Sequence, residues 1–259
     1  MKKLLLCMMV FCLILCCACA EPETRSASNH WNIPENQKSA SDFERADPFI
    51  QYPGAIQAVD VSSHQEQIDW AQVRAAGVDA AILQLGYRGY TEGGINVDPF
   101  FLENLEGARS AGLQIGVYFF SQALSVEEAE EEAAFVLETL NRAPLDLPVF
   151  YDWEEVTEGR TSGHATTQIT DYALAFCQII TERGYQAGVY FNQAYGYSLL
   201  RLEELRPYTF WLAEYEDYPS FFYDVDVWQY TSSGHVDGIE TRADLNLIFP
   251  PAETQADKE

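Results

Sequence analysis

The chain has 259 residues, of which 47% are hydrophobic and 14% aromatic, so it contains enough apolar material for one large packed domain. It carries 40 acidic and only 15 basic residues, for a formal net charge of −25 at pH 7. This charge argues against a nucleic-acid partner, which needs a basic face, and against adsorption to an anionic membrane by charge alone.

Residues 1–20 have the pattern of a signal peptide. The basic start MKK precedes an apolar run that ends at Ala20 and is short for a membrane span, which needs about 20 apolar residues. The run ends in ACA, which fits an A-x-A cleavage site, and Cys19 also resembles the lipid-accepting cysteine of a bacterial lipoprotein. We therefore expect an extracellular protein, either secreted or anchored to the outer face of the cell membrane through Cys19.

The remaining chain divides by composition. Residues 21–53 are polar and aperiodic, which predicts a flexible linker, and residues 251–259 form a short polar tail. Between them, residues 54–250 form the predicted domain. Five of the six cysteines lie in the signal segment and only Cys177 lies in the domain, which excludes an internal disulfide framework.

Within the domain, short apolar runs alternate with helical patterns. The runs at 55–62, 80–86, 114–120, 148–154 and 186–191 read as strands, and each is followed by a helical pattern (70–76, 99–111, 126–140, 166–183 and 199–205). Three further strands, at 209–215, 224–230 and 243–248, have no good helices between them. The order predicts an α/β fold, a TIM-like (β/α)5(β)3 barrel with a single catalytic domain. An open doubly wound sheet is the alternative, but no Gly-rich phosphate loop follows the first strand.

The fourth strand, PVFYDWEEV, ends with two carboxylates one residue apart. Because side chains alternate along a strand, Asp152 and Glu154 share a face, with Cα atoms roughly 6.6 Å apart. Such a pair suits acid/base chemistry, a metal site or a plain ion pair. The first and last strands also end in acids, Asp60 and Asp244, and these strands are neighbours in a closed barrel. We therefore expect one acidic pocket.

Aromatic residues accompany these acids. They lie on or just past predicted strands, and a pocket with acids at its base and aromatic walls is what a sugar-binding cleft needs: Tyr87, Tyr118, Tyr190, Trp211 and Tyr215. Core packing is the default interpretation of any single one. The four histidines show no ligand spacing, which disfavours a metal hydrolase.

Seven motifs then occur in order: AVDVSSHQEQIDW, GARSAGLQIGVYFFS, PVFYDWEEV, GVYFN, FWLAEY, VWQYTSSGHVDGI and ADLNL. Over residues 55–249 the chain resembles glycoside hydrolase family 25, the muramidase or lysozyme type. The resemblance implies cleavage of the β-1,4 bond after N-acetylmuramic acid in peptidoglycan. Matched residue by residue, it makes Glu154 the general acid and Asp152 the second carboxylate, and it assigns site positions to Asp60, Asp244 and Asn246.

These assignments make chemical sense, because burial and neighbouring negative charge raise the pKa of a general acid such as Glu154. Asp152 could act as a nucleophile, activate water, or assist attack by the 2-acetamido group of the substrate, and the sequence leaves these open. The alternative is a catalytically weak or inactive barrel that only binds cell-wall glycan. We expect a monomer that acts on peptidoglycan glycan strands without a metal or cofactor and contacts a membrane only through its N-terminal anchor.

Overall fold

A computed structural model of the protein describes residues 33–251. The predicted signal peptide, Cys19, residues 21–32 of the predicted linker and residues 252–259 of the tail lie outside this range. The described part forms eleven strands: β1 (Glu44–Ala46), β2 (Phe49–Gln51), β3 (Ile56–Val61), β4 (Ala80–Arg88), β5 (Ile95–Val97), β6 (Gln114–Ser121), β7 (Val149–Trp153), β8 (Ala187–Asn192), β9 (Thr209–Ala213), β10 (Val227–Gly234) and β11 (Ala243–Ile248). It also forms six α-helices: α1 (Trp70–Ala75), α2 (Phe101–Ser110), α3 (Val126–Leu140), α4 (Ile169–Glu182), α5 (Gln193–Ser198) and α6 (Leu202–Leu205).

Eight of the strands in this part of the chain form a closed barrel. Their order around it is β3, β11, β10, β9, β8, β7, β6 and β4, and β4 pairs with β3 to complete the circle. Seven of these strands, β3, β4, β6, β7, β8, β9 and β10, are parallel to one another. Strand β11 closes the barrel and runs antiparallel to both of its neighbours, β10 and β3. The connection between β10 and β11 is a short loop without a helix, and such a loop joins antiparallel strands, because parallel strands need a longer crossover. The predicted barrel with a β-rich closing section is confirmed.

The third helix shows how local sequence sets the elements. Ser125 caps α3 by accepting a hydrogen bond from the main-chain N–H of Glu128 at 3.3 Å. The helix buries one stripe of small and apolar side chains together with Glu132, and it ends where Asn141 adopts a left-handed conformation at φ 45°. Its bounds match the predicted ones. No helix within residues 33–251 combines the length and apolar character that crossing a membrane requires.

Residues 33–53, here called the N-terminal strap, correct the predicted linker. No helix lies between β9, β10 and β11 in the chain, so none of the described helices covers this side of the barrel. The strap packs there instead. Phe43 lies edge-on to Trp228, with ring centroids 5.4 Å apart, and Ile50 is only 1% exposed. The Gln57 side chain donates a 2.6 Å hydrogen bond to the Ile50 carbonyl. The flexible-linker prediction is wrong for this segment because its few apolar residues are packed in the core rather than scattered in solvent.

Candidate active site

Strand β7 carries the paired carboxylates into the barrel mouth. Asp152 lies in register with Phe120 of β6 and Tyr190 of β8, and its side chain is 7% exposed. Glu154 follows at the first position after the strand and is half-buried. Both acids therefore lie at the carboxyl ends of parallel strands, where barrel folds assemble their sites.

The first and last barrel strands bring the other two acids together. Asp60 of β3 and Asp244 of β11 are direct partners in the antiparallel register, as barrel closure predicts. Asp60 Oδ2 accepts hydrogen bonds from Asn246 Nδ2 at 2.7 Å and from Gln229 Nε2 at 2.8 Å. The interaction between the two carboxyl groups lowers the pKa of Asp60 and raises the pKa of Asp244. Asp60, Asp152, Glu154 and Asp244 are called the acid cluster below.

Burial raises the pKa of every member of the acid cluster, and repulsion by neighbouring acids adds to the shift in Asp152, Glu154 and Asp244. Burial is the largest cause for Asp152, whose pKa lies well above its usual range, and the charges of the other three acids add to it. Burial and then the charge of Asp60 raise the pKa of Glu154, and the same two causes raise the pKa of Asp244 to about 8. Burial also raises the pKa of Asp60, although its hydrogen bonds oppose the shift. The cluster therefore retains protons near neutral pH and can supply one.

One oxygen of Asp152 has no partner. Asp152 Oδ1 is fully buried and forms no hydrogen bond with any of the described residues. A buried acceptor without a donor is unfavourable, so this oxygen is suited to receive an N–H or O–H group from a bound molecule.

Gln229 of β10 connects the acids to the aromatic residues, and sequence reasoning missed it. Its amide nitrogen lies 2.8 Å from Asp60 Oδ2 and 3.5 Å from Asp244 Oδ2. Its amide oxygen accepts hydrogen bonds from the hydroxyls of Tyr190 at 3.0 Å and Tyr215 at 2.9 Å. The only available signal was a polar residue between apolar neighbours in VWQY, which was assigned to a packed strand.

A second missed pair holds the backbone at Glu154. Gln122 Nε2 donates a 2.7 Å hydrogen bond to the Glu154 carbonyl, and Thr161 Oγ1 lies 3.2 Å from the same oxygen. Thr161 Oγ1 also lies 2.8 Å from Gln122 Oε1, within hydrogen-bond distance, and both side chains are fully buried. Neither side chain is acidic or aromatic, so the sequence alone gives no sign that these two residues belong to the site.

The predicted substrate-contacting residues separate into two groups. Tyr190 is half-buried beside Asp152, its partner in the strand register, Tyr215 is 54% exposed, and Tyr87 is half-buried in register with Phe120. Tyr118 is 9% exposed and packs edge-on to Trp211 inside the barrel, with ring centroids 6.0 Å apart. It therefore lies below the acids.

Trp211 and Asn246 require a correction, because neither can contact a substrate. Trp211 is 1% exposed and Asn246 is fully buried. Trp211 Nε1 donates a 2.8 Å hydrogen bond to Asn246 Oδ1, and Asn246 in turn donates to Asp60. These two residues orient Asp60 from below.

The described residues contain no group of three or more His, Cys, Asp or Glu side chains arranged to hold a metal ion. Cys177 is a free, buried thiol behind the barrel wall, and burial raises its pKa.

Comparisons with known proteins agree with this architecture. A family model described as glycosyl hydrolases family 25 matches residues 59–239. The uncharacterized protein YegX of Escherichia coli O6:H1 is 29% identical over 199 residues, which cover 74% of this chain and 69% of that protein. An autolytic lysozyme of Clostridium acetobutylicum is 27% identical over 192 residues, covering 74% of this chain and 55% of that protein.

Solved structures share the fold. The autolysin LytC of Streptococcus pneumoniae, in complex with a synthetic peptidoglycan ligand, has a TM-score of 0.68 and 23% identity and covers 80% of this chain. The match covers 52% of LytC, so this chain spans about half of that protein. A family 25 glycosyl hydrolase of Bacillus anthracis has a TM-score of 0.65 and 21% identity, covering 83% of this chain and 96% of that one. With a family model that matches residues 59–239, most of its length, the chain belongs to glycosyl hydrolases family 25.

Proposed function

We propose that the protein is a peptidoglycan hydrolase of the muramidase type, which cleaves the β-1,4 bond between N-acetylmuramic acid and N-acetylglucosamine. The observation that carries the proposal is the pair Asp152 and Glu154 at the end of one strand, inside a cluster of four acids with raised pKa values. Hydrolysis of a glycosidic bond needs one protonated carboxyl group and one that supports the anomeric centre. The lysozymes among the relatives favour peptidoglycan as the substrate.

Glu154 is the general acid in this proposal. Burial and the charge of Asp60 raise its pKa, which favours the protonated carboxyl group that donates to the departing glycosidic oxygen. Glu154 is also the more exposed member of the pair, since Asp152 is buried beside it. Hydrogen bonds from the Gln122 and Thr161 side chains to its main-chain carbonyl hold the Glu154 backbone in place.

Asp152 supports the reaction through the acetamido group of the substrate. Its unpartnered Oδ1 is an acceptor that the N–H of a 2-acetamido group would satisfy. Holding that amide favours attack of its oxygen on the anomeric carbon as the glycosidic bond breaks. Water that gives its proton to the now ionised Glu154 then displaces the amide oxygen and completes the hydrolysis. The Asp60–Asp244 pair holds a proton at the base of the pocket, because the pKa of Asp244 is raised to about 8.

Tyr190, Tyr215 and Tyr87 are the proposed contacts to the sugar rings, because each lies at or just after the carboxyl end of a barrel strand and keeps part of its surface exposed. The substrate lies in the cell wall, so we infer that the protein acts outside the cytoplasm, either secreted or anchored through Cys19.

The proposal is tested by the chemistry of the new chain ends. Purified peptidoglycan is digested with the full protein, the products are reduced with borohydride, and the reduced sugars are identified by mass spectrometry. Reduced N-acetylmuramic acid at the new ends is the expected result. Reduced N-acetylglucosamine would instead assign the other β-1,4 bond and contradict the proposal.

A further inference from the structure

A groove runs beside the acid cluster, between the N-terminal strap and the chain that follows β9. It is lined by Arg45 and Asp47 of the strap, by Tyr215 and Glu216 after β9, and by residues at the end of β10, including Thr231. The groove has a volume of about 460 Å³, which lies within the usual range for ligand pockets of about 300–1,000 Å³. It contains none of the four acids, and Tyr215 is the one residue named here that it shares with the site described above.

Tyr215 joins this groove to the acid cluster. Its ring is 54% exposed and lines the groove, whereas its hydroxyl donates a 2.9 Å hydrogen bond to Gln229 Oε1. The amide nitrogen of Gln229 donates to Asp60. Tyr215 therefore borders the groove and also belongs to the hydrogen-bond network of the acid cluster.

The chemistry of the lining favours a carbohydrate. It combines one exposed aromatic ring with hydroxyl and carboxylate groups that can accept and donate hydrogen bonds to sugar hydroxyls. The charge of Arg45 is offset by Asp217, 2.7 Å away, so Asp47 and Glu216 leave the groove acidic. An acidic groove repels polyanions and accepts an uncharged sugar.

The strap wall is held in place before any ligand binds. Arg45 of β1 pairs with Ile50 of β2, which is buried and fixed to Gln57 by its carbonyl. A rigid wall lowers the entropy lost when a ligand binds. The strap also lies outside residues 59–239, the part of the chain that matches the family model.

We propose that the groove is an additional glycan subsite, in which Arg45, Asp47 and Tyr215 bind an uncharged pyranose of the strand beyond the cleaved bond. The proposal rests on the proposed function and names a second binding position for the same polymer. It predicts that longer glycan chains bind more tightly than short ones and that the strap is responsible for the difference.

The test measures binding rather than turnover, so that it remains informative if the proposed reaction is wrong. All proteins carry Glu154→Gln, and their affinities for purified peptidoglycan and for a hexamer of N-acetylglucosamine are measured by sedimentation and calorimetry. The double variant Arg45→Ala/Asp47→Ala is expected to bind both ligands about tenfold more weakly, the equivalent of one lost hydrogen bond to a charged group. Both side chains are exposed, so the fold is not at risk.

A matched control removes a different exposed ion pair, Arg74 and Asp79, by the double variant Arg74→Ala/Asp79→Ala. This control is expected to bind both ligands within twofold of the parent. Equal binding by the strap variant and the control would overturn the proposal. Weaker binding to peptidoglycan with unchanged binding to the hexamer would also overturn it, because the groove would then recognise the peptide and not the sugar.

Discussion

Gln122 holds Glu154 through a 2.7 Å hydrogen bond from its side-chain amide to the Glu154 main-chain carbonyl. The Thr161 hydroxyl lies 2.8 Å from the oxygen of the same amide and 3.2 Å from the same carbonyl. Thr161 Oγ1 also accepts a hydrogen bond from the Val156 N–H at 2.9 Å, which closes the loop after β7 on itself. The position of the proposed general acid is therefore set by two buried, uncharged side chains.

Thr161→Val is expected to lower kcat by about tenfold to a hundredfold with little change in KM. The valine keeps the volume of the side chain but removes the hydroxyl, so the backbone at Glu154 loses one of its two restraints, and small displacements of reacting groups are costly. Kinetics on soluble peptidoglycan fragments across a pH series measure the effect, since a displaced Glu154 also shifts the acid and base limbs of the profile.

Two further variants separate positioning from simple loss of stability. Thr161→Ser keeps the hydroxyl and should restore most of the activity. Tyr172→Phe removes a 2.9 Å hydrogen bond to the Leu124 carbonyl in the neighbouring loop without touching Glu154. A Thr161→Val protein as active as Tyr172→Phe, with the same pH profile, would show that Thr161 does not position the acid.

The Asp60–Asp244 pair makes stability depend on pH. The pKa of Asp244 is raised from an ordinary value of 3.8 to about 8 by burial and by the charge of Asp60. Between these pH values the folded protein holds a proton that the unfolded chain has released, so stability falls as pH rises through this window. Asp244→Asn is neutral at every pH and can still donate to Asp60. At pH 8 it should exceed the wild type in free energy of unfolding by on the order of 1–2 kcal/mol, with a smaller difference at pH 4.

Thermal unfolding at a series of pH values measures this difference, with Glu240→Gln as a control because Glu240 is exposed and away from the pair. The gap in Tm between Asp244→Asn and the wild type should widen from pH 4 to pH 8. A gap that is constant with pH would show that Asp244 carries no proton in the folded protein.

Ile50→Ala tests the placement of the N-terminal strap. Ile50 is 1% exposed, and truncating such a core side chain costs about 2–5 kcal/mol. The free energy of unfolding from urea denaturation measures the effect. Ser41→Ala, at an exposed position in the same strap, should have an effect of less than about 0.5 kcal/mol. A flexible linker would instead leave both variants as stable as the wild type.

The barrel and its acids could be predicted because each follows from a repeating rule. The alternation of strand and helix patterns gave the eight barrel strands, and barrel closure alone placed Asp60 beside Asp244, which the register confirms. Strand periodicity likewise put Asp152 and Glu154 on one face. These inferences depend only on the alternation of side chains along a strand and on the order of the strands and helices, and both can be read directly from the sequence.

The parts that were missed depend on contacts between distant segments. The apolar residues of the strap show no periodic pattern. Phe43 packs against Trp228 and Phe249 on the side of the barrel that none of the described helices covers, and Phe49 and Ile50 are buried. Trp211 was expected to contact sugar because a strand pattern cannot tell a buried ring from one at the mouth. The short strand β5, which pairs with β4, escaped prediction because three residues carry too little pattern, and helix α5 escaped because its sequence QAYGYS has no apolar stripe.

The most direct test of the central claim compares Glu154→Gln with Glu155→Gln on purified peptidoglycan. Glu155 is the adjacent acid, is exposed and accepts a hydrogen bond from the Gly163 N–H, outside the acid cluster. Removing the general acid should lower the release of reducing ends by about 10²–10⁴-fold while binding to peptidoglycan persists, and Glu155→Gln should remain active. Release of reducing ends by Glu154→Gln at the wild-type rate would contradict the assignment of Glu154 as the general acid.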